Sequence, residues 1–209
     1  MADEGALHEP FFELHRQHEA GRLGMLVFLA SEIMLFGGIF AAALALRLHH
    51  EQSYIDAAHH LKLWIGTANT AVLLTSSLFA ALAVTAARGG APQWCGRALG
   101  AAAALGMAFL VLKAVEYAGE YHEGLMPGTP PADFSSPFER LFMDLYYLAT
   151  GLHAVHVTTG IGLLIFTAFN RKARNDRSAT FVGNIALYWH LVDIVWIFLF
   201  PTLYLAGVK

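Results

Sequence analysis

Glu32 is the residue of this chain whose position most directly suggests chemistry. It lies in an apolar stretch from Leu23 to Leu46, in which only Ser31 and Glu32 itself carry polar side chains. A helix rises about 1.5 Å per residue, which places Glu32 about 15 Å past Arg22 and near the middle of a bilayer. A charge at that depth costs on the order of 2.5–3.5 kcal/mol on insertion scales, so another group must satisfy this carboxylate.

Three pairs of ionisable residues lie in other apolar stretches, and the members of each pair are three residues apart, on one helix face. The pairs are Lys113 with Glu116, His153 with His156, and His190 with Asp193. The helix rise places His153, His190 and Asp193 near the depth of Glu32. A cluster joining the first, fourth and fifth spans is therefore geometrically possible, and we predict a contact between Glu32 and His153 or His156.

The role of such a contact is left open by the residues alone. A carboxylate–histidine contact satisfies the charge without bulk water, and it suits a purely structural role, a proton relay or a pocket tuned for lipid. Lys113 and Glu116 lie nearer the outer surface of the membrane, where we expect an intrahelical ion pair. The histidine spacing selects for neither haem nor a metal, so we expect no cofactor in this chain.

The composition indicates a membrane protein. Of the 209 residues, 56% are hydrophobic and 14% are charged, against roughly 25% charged residues in soluble domains. A net charge of −3 and the lack of a basic, aromatic-rich stretch argue against nucleic acid as a partner. The single cysteine, Cys95, excludes an internal disulfide framework, and the acidic, polar N-terminus predicts no cleavable signal peptide.

Hydropathy predicts an all-α polytopic protein with a bundle of five transmembrane helices. The predicted spans are about 22–48, 62–87, 96–121, 141–169 and 181–206, and residues 1–21 form a polar segment before a single transmembrane domain at 22–209. Eight Lys and Arg residues flank the spans on one face and four on the other. This bias predicts a cytoplasmic N-terminus and a C-terminus outside.

Small and hydroxylic residues suggest how the spans pack. Gly96 and Gly100 form a small-xxx-small pair that allows close backbone approach. The hydroxyls of the second span, from Thr67 to Ser77, are expected to bond back to their own helix or to a neighbouring one, and not to line a substrate path. The four tryptophans and the tyrosines are interpreted as interfacial anchors or packing residues.

Five motifs in order resemble subunit III of the haem–copper respiratory oxidases. They are SEIMLFGG (Ser31–Gly38), TANTAVLLTSS (Thr67–Ser77), KAVEY (Lys113–Tyr117), GLHAVHV (Gly151–Val157) and YWHLVDIVWIF (Tyr188–Phe198). The resemblance extends over all five spans. The last two motifs are long and rich in intramembrane polar residues.

The resemblance implies a non-catalytic subunit of a proton-pumping terminal oxidase in a bacterial inner membrane. Haem and copper are then expected in partner subunits I and II, with phospholipid as a further partner and membership of a larger respiratory supercomplex left open. Subunit III in this family holds lipid in a cleft, helps proton entry into subunit I and supports sustained turnover. Glu32 occupies the place of the family's carbodiimide-reactive acid. The family's other polar motif residues correspond to His153, His156, His190, Asp193 and Glu116 of this sequence.

Two departures from the family pattern bear on these expectations. Seven-helix members begin with two extra helices that partly wall the lipid cleft, and this sequence resembles the five-helix bacterial forms. Ala154 stands where the family usually has a glycine between its two histidines. The alternatives to an oxidase subunit are a related accessory subunit of a nitric oxide reductase, a stand-alone transporter or channel, and a membrane cytochrome.

Overall fold

The computed structural model describes residues 14–127, 134, 136–170 and 179–207. Within these residues the chain forms helices and no strand. The helices are α1 (Leu14–His49), α2 (Glu51–Ala58), α3 (Leu63–Arg88), α4 (Pro92–His122), α5 (Pro137–Phe169) and α6 (Ala179–Leu203), and a 3₁₀ turn (Leu205–Gly207) follows α6.

Five of these helices are long and apolar enough to cross a membrane, which confirms the predicted all-α class. The segments that qualify are Ala20–His49, Leu63–Arg88, Pro92–His122, Pro137–Phe169 and Thr180–Gly207. The division into a polar segment and one domain stays a prediction, and so does the orientation of the termini.

Local sequence sets several helix boundaries. Pro92 and Pro137 occupy the first turns of α4 and α5, where a missing N–H does no harm. The Ser136 hydroxyl caps α5 by accepting a hydrogen bond from the N–H of Phe138 at 3.2 Å. Between α3 and α4 the chain turns at Gly90, whose positive φ of 67° suits a residue without Cβ.

The short helix α2 was not predicted, because its sequence is polar and lies in a connector. Tyr54 anchors it: the side chain is fully buried, and its hydroxyl donates to the carbonyl of Thr202 at 2.8 Å. Burial in this connector raises the pKa of Tyr54 to about 12. Helix α2 therefore ties the connector after α1 to the C-terminal end of α6.

Two glycines of other helices lie directly against an aromatic side chain of α6. A Cβ on Gly106 of α4 or on Gly160 of α5 would lie 2.7 or 2.6 Å from the ring of Trp189. The predicted contact at Gly100 is absent within the described chain, because a Cβ there would meet open space. The ring of Trp189 thus wedges between two glycines that the sequence pattern had not singled out.

Helix α1 stands at the edge of the bundle. In its most apolar stretch of 18 residues only 6% is buried inside the chain, whereas in the corresponding stretch of the last span 50% is buried. Its outward face carries large apolar side chains such as Leu26, Ile33 and Met34, which are more than half exposed. Most of α1 therefore faces lipid or another protein, and few of its side chains pack inside this chain.

Candidate functional site: a carboxylate–histidine pair between α1 and α5

The structure brings Glu32 of α1 to His156 of α5. The Glu32 Oε2 atom lies 2.7 Å from the His156 Nε2 atom, and each side chain is 14% exposed. The predicted contact between the first and fourth spans is therefore present, and it is made by the second of the two histidines. Partial exposure leaves the pair reachable from the outer surface of the bundle.

The hydrogen bonds of His156 fix how many protons the pair holds. Its Nδ1 atom lies 2.8 Å from the carbonyl oxygen of Leu152, which can only accept, so Nδ1 carries a proton. The bond between Nε2 and Glu32 then needs one further proton, placed either on the carboxyl or on the ring. Glu32 and His156 therefore form a unit that shares one proton, in a neutral or an ion-paired form.

Neighbouring side chains hold the pair in place. The Phe36 ring meets the His156 ring edge-on, with centroids 5.3 Å apart. From α6, the Tyr188 hydroxyl donates to the backbone carbonyl of His156 at 3.1 Å. Because α1, α5 and α6 all contribute, the position of Glu32 depends on three helices and not on one pairwise contact.

His153 does not join this pair. It is 1% exposed, and its ring stacks on Trp196 with centroids 5.3 Å apart. Both ring nitrogens are buried and have no hydrogen-bond partner among the described residues. His153 is therefore a core residue surrounded by aromatic rings, which include Phe36 and Phe109.

His190 and Asp193 face α3, so the joint cluster of the first, fourth and fifth spans does not form as a single unit. The His190 Nδ1 atom lies 2.6 Å from the Ser77 hydroxyl. Asp193 is 3% exposed, and its carboxylate oxygens make no hydrogen bond within the described part of the chain. Ser77 lies between His190 and Asp193, and its hydroxyl can accept from the ring while it points its proton toward the carboxylate.

Lys113 and Glu116 form the predicted intrahelical ion pair, with 2.9 Å between Nζ and Oε2. The pair is almost fully buried, and Lys113 also donates to the hydroxyls of Tyr146 and Tyr204. Its three N–H groups thus have three acceptors, as an ammonium ion requires.

A second carboxylate, Glu120, completes this cluster and had not been predicted. Tyr146 and Tyr147 donate to its two oxygens at 2.8 and 2.7 Å, and Tyr204 donates to Glu116 at 2.9 Å. The signal was present in the sequence, because Glu120 follows Glu116 by four residues on the same helix face. The tyrosines had been interpreted only as anchors or packing residues.

The hydroxyls of the second predicted span bond as expected, to their own helix or to a neighbouring one. Thr67, Thr70 and Thr75 bond back to α3 carbonyls, as expected. Ser76 bonds across to the Ala102 carbonyl of α4 and accepts from the Trp189 indole. Among the described residues no group of three or more His, Cys, Asp or Glu side chains is arranged to hold a metal ion.

The fold and these buried groups define a polytopic membrane protein with five spans and polar contacts between its helices. The model of the family "Cytochrome c oxidase subunit III" matches residues 13–208. The chain therefore belongs to the cytochrome c oxidase subunit III family.

Curated relatives agree with this assignment. The chain is 34% identical to a cytochrome c oxidase subunit 3 of Thermostichus vulcanus, over 91% of this chain and 90% of the relative. It is 30% identical to a cytochrome c oxidase subunit 3 of Corynebacterium diphtheriae, over 87% and 86%. A cytochrome bo(3) ubiquinol oxidase subunit 3 of Pseudomonas aeruginosa is 27% identical over 96% and 93%.

Proposed function

We propose that this chain is the non-catalytic subunit III of a proton-pumping terminal oxidase in a bacterial plasma membrane. The observation that carries the proposal is the family match, which extends from residue 13 to residue 208 and includes all five spans. The relatives come from bacteria and are named as subunits of cytochrome c and ubiquinol oxidases. Subunits I and II are the proposed partners and carry the haem and copper.

The exposed face of α1 supports association with a larger subunit. An apolar helix with so little surface buried in its own chain is suited to pack against other transmembrane helices. The excess of Lys and Arg on one face supports a cytoplasmic N-terminus. In this role the chain stabilises subunit I and contributes no redox centre of its own.

The Glu32–His156 pair supports a further part of the proposal, assistance of proton uptake. The pair shares one proton and its side chains are 14% exposed, so a proton donor or acceptor at the surface of the bundle can reach it. We assign it to the support of sustained turnover, either as a proton-holding group or as part of a lipid-facing surface. Phospholipid is accordingly a proposed partner.

Purification from native membranes tests the main proposal. A tag on this chain, mild detergent, an optical redox spectrum and identification of the co-eluting chains should reveal haem and copper in large partner subunits. The haem type and the partner chains separate an oxidase from a nitric oxide reductase. A colourless chain that purifies alone would contradict the proposal and favour a transporter.

Repeated turnover tests the role of Glu32. Oxidase complexes with Glu32→Gln should start at a rate close to wild type and lose activity sooner during continuous oxygen consumption. Ser31→Ala is the matched control, because the exposed Ser31 hydroxyl only bonds back to the Phe28 carbonyl at 2.6 Å. Equal loss of activity in both variants would show that the proton shared by Glu32 and His156 does not support sustained turnover.

A further inference from the structure

Four aromatic rings, here called the aromatic path, lead through the Lys113 cluster from the core of the bundle to its surface. The ring centroids of Trp196 and Tyr204 lie 6.3 Å apart, and those of Tyr204 and Tyr146 lie 6.0 Å apart. Tyr147 follows, with its centroid 5.0 Å from that of Tyr146. Trp196 is 1% exposed, whereas Tyr147 is partly exposed. An electron crosses separations of this size readily.

Each tyrosine of the aromatic path donates its phenol hydrogen to a carboxylate. Tyr204 donates to Glu116, and Tyr146 and Tyr147 donate to the two oxygens of Glu120. A phenol gives up an electron more easily when its proton moves to a base in the same step, because the product is then a neutral radical and not a cation. A carboxylate that already accepts this hydrogen is such a base.

Two other tyrosines of the chain show the contrast. Tyr54 donates to the backbone carbonyl of Thr202, and Tyr188 donates to that of His156. A backbone carbonyl accepts a hydrogen bond but does not take up the proton. Of these five tyrosines, the three of the aromatic path therefore combine mutual ring contacts with acceptors that can hold the proton.

The charges of the cluster also favour the loss of an electron. One ammonium, Lys113, faces two carboxylates, Glu116 and Glu120, so one negative charge is in excess. These side chains are almost fully buried, and an uncompensated charge is costly in a low-dielectric core. Removal of one electron leaves the cluster neutral as long as the phenol proton stays inside it.

We propose that the aromatic path is a redox relay, which carries one oxidising equivalent at a time from the interior of the bundle to Tyr147. In its last step an electron moves from Tyr147 to the radical of Tyr146. Glu120 returns a proton to Tyr146 from one oxygen and takes the proton of Tyr147 on the other. A one-electron donor at the surface, such as ascorbate, then restores Tyr147, and the proton returns from Glu120.

The inference rests on the proposed function for its oxidant, an oxidised haem of a partner subunit. That haem is reduced by one electron from Trp196, Tyr204 refills Trp196, and the phenol proton of Tyr204 passes to Glu116. The relay removes an oxidising equivalent from the complex and so supports sustained turnover. It is oxidised only transiently, so the chain still contributes no permanent redox centre.

Two oxidants test the relay in the detergent-purified complex. Ruthenium(III) tris-bipyridine, generated by a light flash, oxidises residues from the surface, and hydrogen peroxide oxidises the haem. A nitroso spin trap labels tyrosyl radicals, and peptide mass spectrometry quantifies the label on each tyrosine. With either oxidant the wild-type complex should carry more label on Tyr147 than on Tyr121, although Tyr121 is 58% exposed.

A change of the proton acceptor tests the chemistry at Tyr147. Glu120→Gln should lower the label on Tyr147 about tenfold with both oxidants, because a neutral amide takes up no proton. Glu123→Gln is the matched control, since Glu123 lies three residues further along α4 and pairs with Lys62 at the surface. Equal label on Tyr147 in wild type and Glu120→Gln would overturn the proposal.

A break in the aromatic path tests the relay itself. Tyr204→Phe should lower the label on Tyr147 with peroxide and leave the label obtained with ruthenium unchanged. An equal effect with both oxidants would overturn the relay, and so would more label on Tyr121 than on Tyr147 in the wild type, a result that needs no variant to assemble. The ruthenium measurement needs no haem, so it stands apart from the proposed function, which the co-eluting haem-bearing subunits decide.

Discussion

Two buried acid–base arrangements in this chain differ in how completely their protons are fixed. In the Lys113 cluster, every N–H of the ammonium has an acceptor, and Glu116 and Glu120 each accept two hydrogen bonds. In the Glu32–His156 pair, one proton is shared between two side chains that are both 14% exposed. The cluster is closed, because its charged groups have their partners inside the chain, whereas the pair is partly open to the surface of the bundle.

The difference follows from where each arrangement lies in the bundle. The cluster is assembled from α4, α5 and the C-terminal end of α6, and its charged side chains are at most 4% exposed. The pair joins α5 to α1, the span with the smallest buried share. A fully satisfied network in a low-dielectric core adds rigidity, whereas a partly exposed pair keeps access to protons.

Loss of the ammonium from the closed cluster should give the largest effect. Lys113→Met leaves two buried carboxylates without their cation, and we expect a loss of about 3–5 kcal/mol in the free energy of unfolding. Unfolding in mixed detergent–denaturant micelles measures it. The double variant Lys113→Met/Glu116→Gln should recover part of the loss, because it removes one of the two carboxylates that the single variant leaves unpaired.

The matched control for that prediction is the exposed pair between Lys62 and Glu123. Their charged atoms lie 3.1 Å apart, and the side chains are 43% and 47% exposed. Because water screens such a pair, Lys62→Met should cost no more than about 1 kcal/mol. Similar losses for Lys113→Met and Lys62→Met would show that the cluster is hydrated and that the contrast with the pair is false.

A smaller effect is expected when the pair itself is broken. Glu32→Ala leaves the Nε2 atom of His156 without its partner, and we expect a loss of about 1–3 kcal/mol in the same assay. Glu32→Gln keeps a hydrogen bond to a neutral ring and should lose less than Glu32→Ala. A loss larger than that of Lys113→Met would show that the pair stabilises the fold more than the cluster does.

Much of the architecture could be predicted because hydrophobic length is a strong signal. A run such as Leu23–Leu46 is long enough to cross a bilayer whatever its neighbours are, and an acid inside it requires a partner. Helix rise then placed His153, His190 and Asp193 near the depth of Glu32, and we predicted His153 or His156 as its partner. The choice between them depends on rotation about the helix axis, which depth does not determine.

Other contacts depend on tertiary packing that single-helix patterns do not encode. Glu116 lies in α4, whereas Tyr146 lies in α5 and Tyr204 directly follows α6, so no spacing rule links them. Gly160 was not singled out because its role depends on Trp189 of another helix, whereas Gly100 had a motif but no neighbour. His190 and Asp193 were placed at the right depth, yet they face α3 and not α1.

Chemical labelling compares the two arrangements without perturbing the fold. A hydrophobic carbodiimide attacks protonated carboxyl groups that it can reach. Glu32 shares a proton and is partly exposed, whereas Glu116 and Glu120 are at most 1% exposed and accept hydrogen bonds on both oxygens. Peptide mass spectrometry of the wild-type chain should therefore find the label on Glu32 alone of these three acids.

The same labelling experiment also connects the two arrangements. Glu32→Gln should abolish the label without exposing the cluster, since Gln offers no carboxyl group. In Lys113→Met, Glu116 and Glu120 lose their neighbouring cation, and we expect at least one of them to become reactive toward the carbodiimide. Label on Glu116 or Glu120 in the wild-type chain would contradict the closed cluster. An unlabelled Glu32 would mean that its proton resides on His156 and that the pair is ionic.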